Sequence, residues 1–201
     1  MTCYTLGMMP KNLLSLFSIL TIVFALCPSG SHADEMSQAL AAFQAGRYQQ
    51  ALKIWSPLAE KGDANAQYNL GLLYRNGQGV ERNDRLALVW FTRAAAQGLL
   101  DAQYNTGLMY MEGRGVAISR VDAFKWWELA ASKGHAESQH NLAVMYAYGI
   151  ATEVDTKKAL ELWRLAAEQG HKGARQALFR TYTEGLFGMK PDPEEARKWQ
   201  D

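Results

Sequence analysis

AQYNLGLLYRNGQGV occupies residues 66–80 and AQYNTGLMYMEGRGV occupies residues 102–116, nearly the same stretch written twice, 36 positions apart. One chain seldom needs a reaction centre twice, so the duplication points to architecture. The step continues beyond these two copies. Tyr74, Tyr110, Tyr146 and Tyr182 keep it, as do Gly77, Gly113, Gly149 and Gly185, and again Gly62, Gly98, Gly134 and Gly170. Phe91, Trp127 and Trp163 extend backwards to Trp55, with Ala94, Ala130 and Ala166 in register. Self-similarity at a fixed period of this length marks stacked repeat units.

Each unit reads as two helices. Ala66, Leu70, Leu73 and Tyr74 share one face of the first at helical spacing. Gly71 and Gly107 interrupt good helix formers, a cost of about 1 kcal/mol each against alanine. They make sense where a neighbouring helix crosses too closely for a side chain, and position 143 carries alanine, the next smallest residue. The stretch Asn76-Gly77-Gln78-Gly79-Val80 supplies the sharp exit, with Val80 and Val116 as apolar anchors under the turn. Asn83, Ser119 and Asp155, again 36 apart, are preferred N-caps for the second helix. Asp192 follows one residue late, with Pro193 at the first helical position and Glu195 placed as in a capping box. Ala87, Trp90, Phe91, Ala94 and Ala95 then form an inward face of rings alternating with small residues, repeated as Ala123, Trp126, Trp127, Ala130 and Ala131. Gly98, Gly134 and Gly170 are expected to end these helices in the left-handed conformation.

No single hairpin buries both sides of this pattern, whereas stacked hairpins do. The expected fold is all-α: a right-handed α-solenoid of antiparallel helix pairs with a 36-residue period and about ten helices. The units run as an N-terminal hairpin over 34–62, repeats at 63–98, 99–134 and 135–170, and a partial repeat at 171–201. In the third repeat GIATEV (149–154) lacks the second loop glycine and the in-register valine. That loop is expected either to differ in conformation or to be a point of altered specificity.

The first 33 residues differ in kind. Lys11 precedes LLSLFSILTIVFALC (13–27), an apolar run shorter than the ~20 residues of a membrane span. With Ser31-His32-Ala33 as a small-residue cleavage site, residues 1–33 read as a signal peptide, whichever of Met1, Met8 and Met9 is the start. A lipid anchor on Cys27 fits less well, because Leu26 stands where a small residue is wanted. The expected address is periplasmic or secreted, with no membrane span after cleavage. Both cysteines, Cys3 and Cys27, lie in the removed segment, so the exported chain has no disulfide. Losing Lys11 leaves 20 basic against 20 acidic residues. Such a balance gives no positive field for nucleic acid.

The pattern A-x-x-x-L-G-x-x-Y-x-x-G-x-G-V followed by A-x-x-W-[FW]-x-x-A-A-x-x-G resembles the Sel1-like repeats, a longer-unit branch of the tetratricopeptide-type repeats. The likeness is strong over 66–170 and extends to about 39–199, with Thr106 departing from the pattern's leucine. The resemblance implies a non-catalytic protein-interaction scaffold, often exported in bacteria, here an adaptor in the cell envelope. Some cysteine-rich secreted relatives have been linked to β-lactam hydrolysis, so a secreted hydrolase of cell-wall or β-lactam substrates is one rival. An oligomeric structural subunit is another, against an expected monomer.

Chemistry finds little purchase. Gly77-Gln78-Gly79 and Gly113-Arg114-Gly115 lack the third glycine of a dinucleotide loop and the G-K-[ST] of a phosphate loop. The S-x-x-K, S-D-N and K-T-G set and G-x-S-x-G are missing, and Glu194-Glu195 reads as acid at a helix start. His135 and His171 follow the second helices, where a cation suits a helix end, too far apart for a shared metal. No catalytic residue, cofactor or metal is expected. Binding draws more support. In helical-hairpin solenoids the first helix of each unit lines the concave face. Its residues off the buried face are Asn65, Tyr68, Asn69, Leu72 and Arg75, then Asp101, Tyr104, Asn105, Leu108 and Met111, then Glu137, His140, Asn141, Val144 and Ala147. A row Tyr68–Tyr104–His140 therefore runs beside Asn69–Asn105–Asn141. Asparagine both donates to and accepts from a peptide backbone, and tyrosine offers a broad ring with a polar tip. Tyr68, Asn69, Arg75, Tyr104, Asn105, Met111, His140 and Asn141 are the candidate contacts for a protein or peptide. The alternative role for the same rows is to bond and pack between repeats.

Overall fold

The computed structural model describes residues 31–200. Apart from Ser31, His32 and Ala33, the expected signal peptide lies outside the described residues. Ten helices follow in order: α1 His32–Gln44, α2 Tyr48–Glu60, α3 Ala64–Asn76, α4 Asp84–Ala96, α5 Leu100–Glu112, α6 Arg120–Ser132, α7 Ala136–Tyr148, α8 Thr156–Glu168, α9 Lys172–Glu184 and α10 Pro193–Lys198. Each packs on its neighbours in the chain, giving the right-handed α-solenoid of antiparallel pairs. Ala33 sits in the first turn of α1, so cleavage after it would trim that turn. Among the described residues no helix is long and apolar enough to cross a membrane.

The boundaries follow from capping chemistry. Asn83, Ser119 and Asp155 stand outside helical conformation, and their side chains accept from the backbone N–H of Leu86 (3.0 Å), Asp122 (3.2 Å) and Lys158 (3.0 Å). Asp192 accepts from both Glu194 and Glu195. Each bond satisfies an N–H that the helix leaves orphaned, worth about 1 kcal/mol. First helices end at Gly77, Gly113, Gly149 and Gly185, all left-handed.

His135 and His171 depart from the sequence expectation. They are N-caps of α7 and α9, and each Nδ1 accepts a backbone N–H, from Ser138 at 3.2 Å and from Ala174 at 3.0 Å. The rings therefore serve as acceptors at the N-terminal ends of the following helices, not as partners of the carbonyls at the C-terminal ends of the preceding ones. The third-repeat loop also corrects its expectation. Ala151 occupies the place of Gly79 and Gly115 and adopts the same left-handed backbone, φ 61° against 72° and 72°. Phe187, a further 36 residues on, has φ 57°. The turn geometry is set by the stacking of hairpins, and non-glycine residues are held in it.

Aromatic rings key the hairpins together. Trp55 and Phe91 are 1% and 0% exposed, and Trp127 and Trp163 are 3%. A Cβ on Gly71 would lie 2.6 Å from the Phe91 ring, and one on Gly107 would lie 2.5 Å from Trp127 Nε1. These glycines mark close helix crossings. At the second crossing the Trp127 indole donates to the Tyr104 carbonyl (3.1 Å).

Candidate protein-binding face

The first helices α3, α5, α7 and α9 bring their in-phase residues together along one layer. Tyr68 lies half-buried against Phe91, ring centroids 5.7 Å apart, with Asn105 of the next repeat near its hydroxyl. Tyr104 stacks on Trp127 at 6.5 Å and packs on His135 of the next repeat at 5.4 Å, with Asn141 near its hydroxyl. Burial raises the pKa of both phenols, so they are neutral hydrogen-bonding groups. The tyrosine and asparagine rows thus interleave as one diagonal ladder, and Arg75, donating to Asn105, ties the first repeat to the second.

Asn105 is the most committed rung. It is 6% exposed; its Nδ2 donates to the Asp101 carbonyl (2.7 Å) and its Oδ1 accepts from Arg75 Nη1. Arg75 also lies 5.7 Å over the Phe91 ring. Asn69 begins the row and makes no side-chain hydrogen bond within the described residues. Met111 is half-buried against the cluster around Trp127. Ala147, expected off the buried face, is 4% exposed and belongs to the core. Leu72, Leu108 and Val144 run half-buried along the same layer.

His140 stacks on His171 at 4.6 Å with ring planes 24° apart. Burial, and then the electrostatic influence of the neighbouring His171, depress its pKa to about 4. Its Nδ1 is buried without a partner. The pair joins the third repeat to the fourth at the positions where Tyr104 and His135 join the second to the third.

A second ladder has no counterpart in the sequence reading. Gln67, Gln103 and Gln139, again 36 apart, donate through Nε2 to the carbonyls of Ala59 (3.0 Å), Ala95 (3.1 Å) and Ala131 (3.3 Å). Gln97 and Gln169 then donate to Gln67 and Gln139, each at 2.8 Å. Lys133 stands at the middle position, and Gln103 Oε1 is left without a partner. Polar residues in phase on an otherwise buried face were the signal available. A surface link joins the loops: Arg114 donates to Asp84 (3.0 Å) across the repeat boundary. Arg82 and then Arg114 hold the Asp84 carboxyl down at about 2.

One constellation looks chemical. Ser138 Oγ lies 2.9 Å from His135 Nδ1, and His135 Nε2 lies 3.2 Å from Asp101. A nucleophile must reach its substrate, and Ser138 is 0% exposed. With Nδ1 also accepting the Ser138 N–H, the group caps α7. Among the described residues no cluster of three or more His, Cys, Asp or Glu side chains could hold a metal.

The Sel1 repeat pattern matches residues 64–99, 100–135, 136–171 and 174–199. The chain belongs to the Sel1 repeat family. Members are generally non-catalytic protein-interaction scaffolds. A Sel1 repeat protein from Oxalobacter formigenes is 34% identical, with a TM-score of 0.75 over 82% of this chain and 67% of that one. A protective antigen with the SLR fold from uropathogenic Escherichia coli, c5321, is 33% identical, with a TM-score of 0.80 over 86% of this chain. The present chain spans 38% of that antigen's length. A Sel1 repeat protein from Klebsiella pneumoniae, 21% identical, shares the fold at a TM-score of 0.53 over 83% of each chain. No curated protein matches the chain.

Proposed function

We propose that the protein is an exported scaffold of the bacterial cell envelope that binds a protein or peptide along its first-helix layer, without bond making. The observation that carries this reading is the braced row on α3, α5 and α7. The Arg75–Asn105 hydrogen bond and the Tyr104–His135 contact tie the repeats together, while Leu72, Leu108 and Val144 recur along the layer at half-burial. A rigid row of apolar side chains offers a partner burial at little ordering cost. Asn69, with no intramolecular bond to lose, is the amide best placed to meet a partner backbone. Tyr68, Arg75, Tyr104, Asn105 and Asn141 serve the frame as well as the surface. The leader over 1–33 and the neutral charge balance support export and a protein partner.

The test is capture from envelope extract by the chain starting at Asp34, in three forms: wild type, Asn69→Lys, and Leu86→Lys. Leu86 is 39% exposed on α4, away from this layer. Asn69→Lys is expected to lose a partner that the other two retain, with all three melting alike. Recovery of the same proteins by Asn69→Lys and wild type would sink the reading.

A further inference from the structure

A second surface lies between the second helices α6 and α8, with α7 as its floor. It holds a cavity of about 430 Å³ lined by Ala131, Leu142, Leu162 and Leu165, with Glu128 and Glu161 on its edges. Its cause is one substitution within the repeat. Positions 90, 126 and 162 are equivalent and carry Trp, Trp and Leu. Trp90 packs on the cluster that includes Leu58, Ala59 and Ala66, and Trp126 on Ala94, Ala95 and Ala102. Leu162 is smaller than either indole, and space remains where the earlier repeats hold a ring. Leu165, at the mouth, is 43% exposed.

Charge says what else the occupant carries. Glu128 and Glu161 form no ion pair among the described residues, whereas Lys158 is engaged by Asp155 (3.9 Å) and by the Tyr146 ring (4.9 Å). The first repeat shows how such a groove is completed within the chain: the Arg93 guanidinium lies 4.7 Å over the Trp90 ring, three residues away. We propose that the α6–α8 groove takes an aromatic side chain of a partner polypeptide that carries a basic residue one helical turn from it. The ring occupies the space that an indole fills in the earlier repeats, and the cation meets Glu128 and Glu161. This surface is independent of the first-helix layer.

The probe is a blocked helical peptide on an alanine–glutamine background presenting Trp and Arg three residues apart. Its Trp→Ala and Arg→Glu versions are the controls. Binding is followed through the methyl NMR signals of Leu142, Leu162 and Leu165. The wild-type protein is expected to bind the Trp/Arg peptide saturably, and each control peptide roughly tenfold or more weakly, about 1.4 kcal/mol. Leu162→Trp is expected to fill the groove from inside and abolish binding without lowering the melting temperature. Glu128→Gln with Glu161→Gln is expected to remove the preference for Arg over Glu in the peptide. Asn69→Lys, on the other layer, leaves binding unchanged. Three results would overturn the proposal: no saturable shift, equal binding of the Trp→Ala peptide, or binding that survives in a folded Leu162→Trp variant.

Discussion

The second repeat (99–134) and the third (135–170) have the same two 13-residue helices and the same turn, yet they are held differently. In the second, Gly107 lets Trp127 approach until its indole N–H reaches the Tyr104 carbonyl. In the third, Ala143 stands at the crossing, and the Trp163 indole nitrogen is buried without a partner. One methyl group separates a satisfied from an unsatisfied indole. The turn shows the same relaxation, Gly115 becoming Ala151 in an unchanged backbone region. So does the rung to the next repeat, where the Tyr104–His135 contact gives way to the stacked histidines. A repeat fold tolerates this drift because each unit answers only to its neighbours. Among the described residues both non-glycine left-handed positions, Ala151 and Phe187, lie on the C-terminal side.

The largest effect should come from breaking what both repeats share. Trp127→Ala removes a ring that is 3% exposed, and a loss of about 3–5 kcal/mol is expected. Chemical denaturation reads this directly, and a midpoint close to wild type would show that the ring is not a keystone. Next come the crossings, where the two repeats should respond oppositely. Gly107→Ala places a Cβ 2.5 Å from the Trp127 indole and should cost about 1–3 kcal/mol by overpacking. Ala143→Gly should cost no more than the helix penalty of about 1 kcal/mol, and less if Trp163 then finds a carbonyl. Equal losses at both sites would erase the distinction.

The turns sharpen the comparison further. A left-handed backbone costs a non-glycine residue roughly 1–2 kcal/mol. Ala151→Gly should therefore stabilise the third repeat by about 1 kcal/mol, read as a raised melting temperature. Gly115→Ala should do more harm than that conformational cost alone, since its Cβ would run into the Asp84 carbonyl of the preceding hairpin. A neutral outcome for Ala151→Gly would mean that the turn is not strained. Phe187 shares the backbone region but sets its ring 5.9 Å from Trp163 and 5.4 Å from Tyr148, so those contacts offset its strain and glycine there should not stabilise.

Much of this was readable in the sequence, because a period repeated four times exposes any residue that must keep its place. The helix pairs, the Asn83–Ser119–Asp155 caps and the close crossings at Gly71 and Gly107 all follow from position and residue type. What escaped lies between hairpins. Periodicity within a helix gives the face turned to its own partner, not the face turned to the preceding unit. That is why Asn105 and Ala147 read as outward although they are buried, and why the Gln67–Gln103–Gln139 ladder went unnoticed. His135 and His171 were misplaced for a related reason. They belong to the start of the next helix, and a loop of two or three residues gives no sequence cue as to which helix end claims them. The groove beside Leu162 is visible as a Trp–Trp–Leu series, but its volume depends on how α6 and α8 diverge.

The smallest expected effect separates the rungs by pH. Tyr104 in the second repeat is held neutral by burial, so this ring takes up no charge in mild acid. The histidine rung does. His140 should take its proton near 6.5 in the unfolded chain and only at about 4 when folded, because burial and the neighbouring His171 disfavour the charge. Between those values the unfolded state binds more protons, so stability falls as pH drops from about 6.5 towards 4 and levels off below. The effect is reduced because His140 is only half-buried and solvent screens its charge. NMR titration of the His140 ring should give a midpoint near 4. In His140→Gln the acid-side decline in melting temperature should be shallower than in wild type by the amount this ring supplies. A His140 midpoint near 6.5, or identical pH profiles for the two proteins, would show that the stacked ring is as insensitive to acid as the Tyr104 ring.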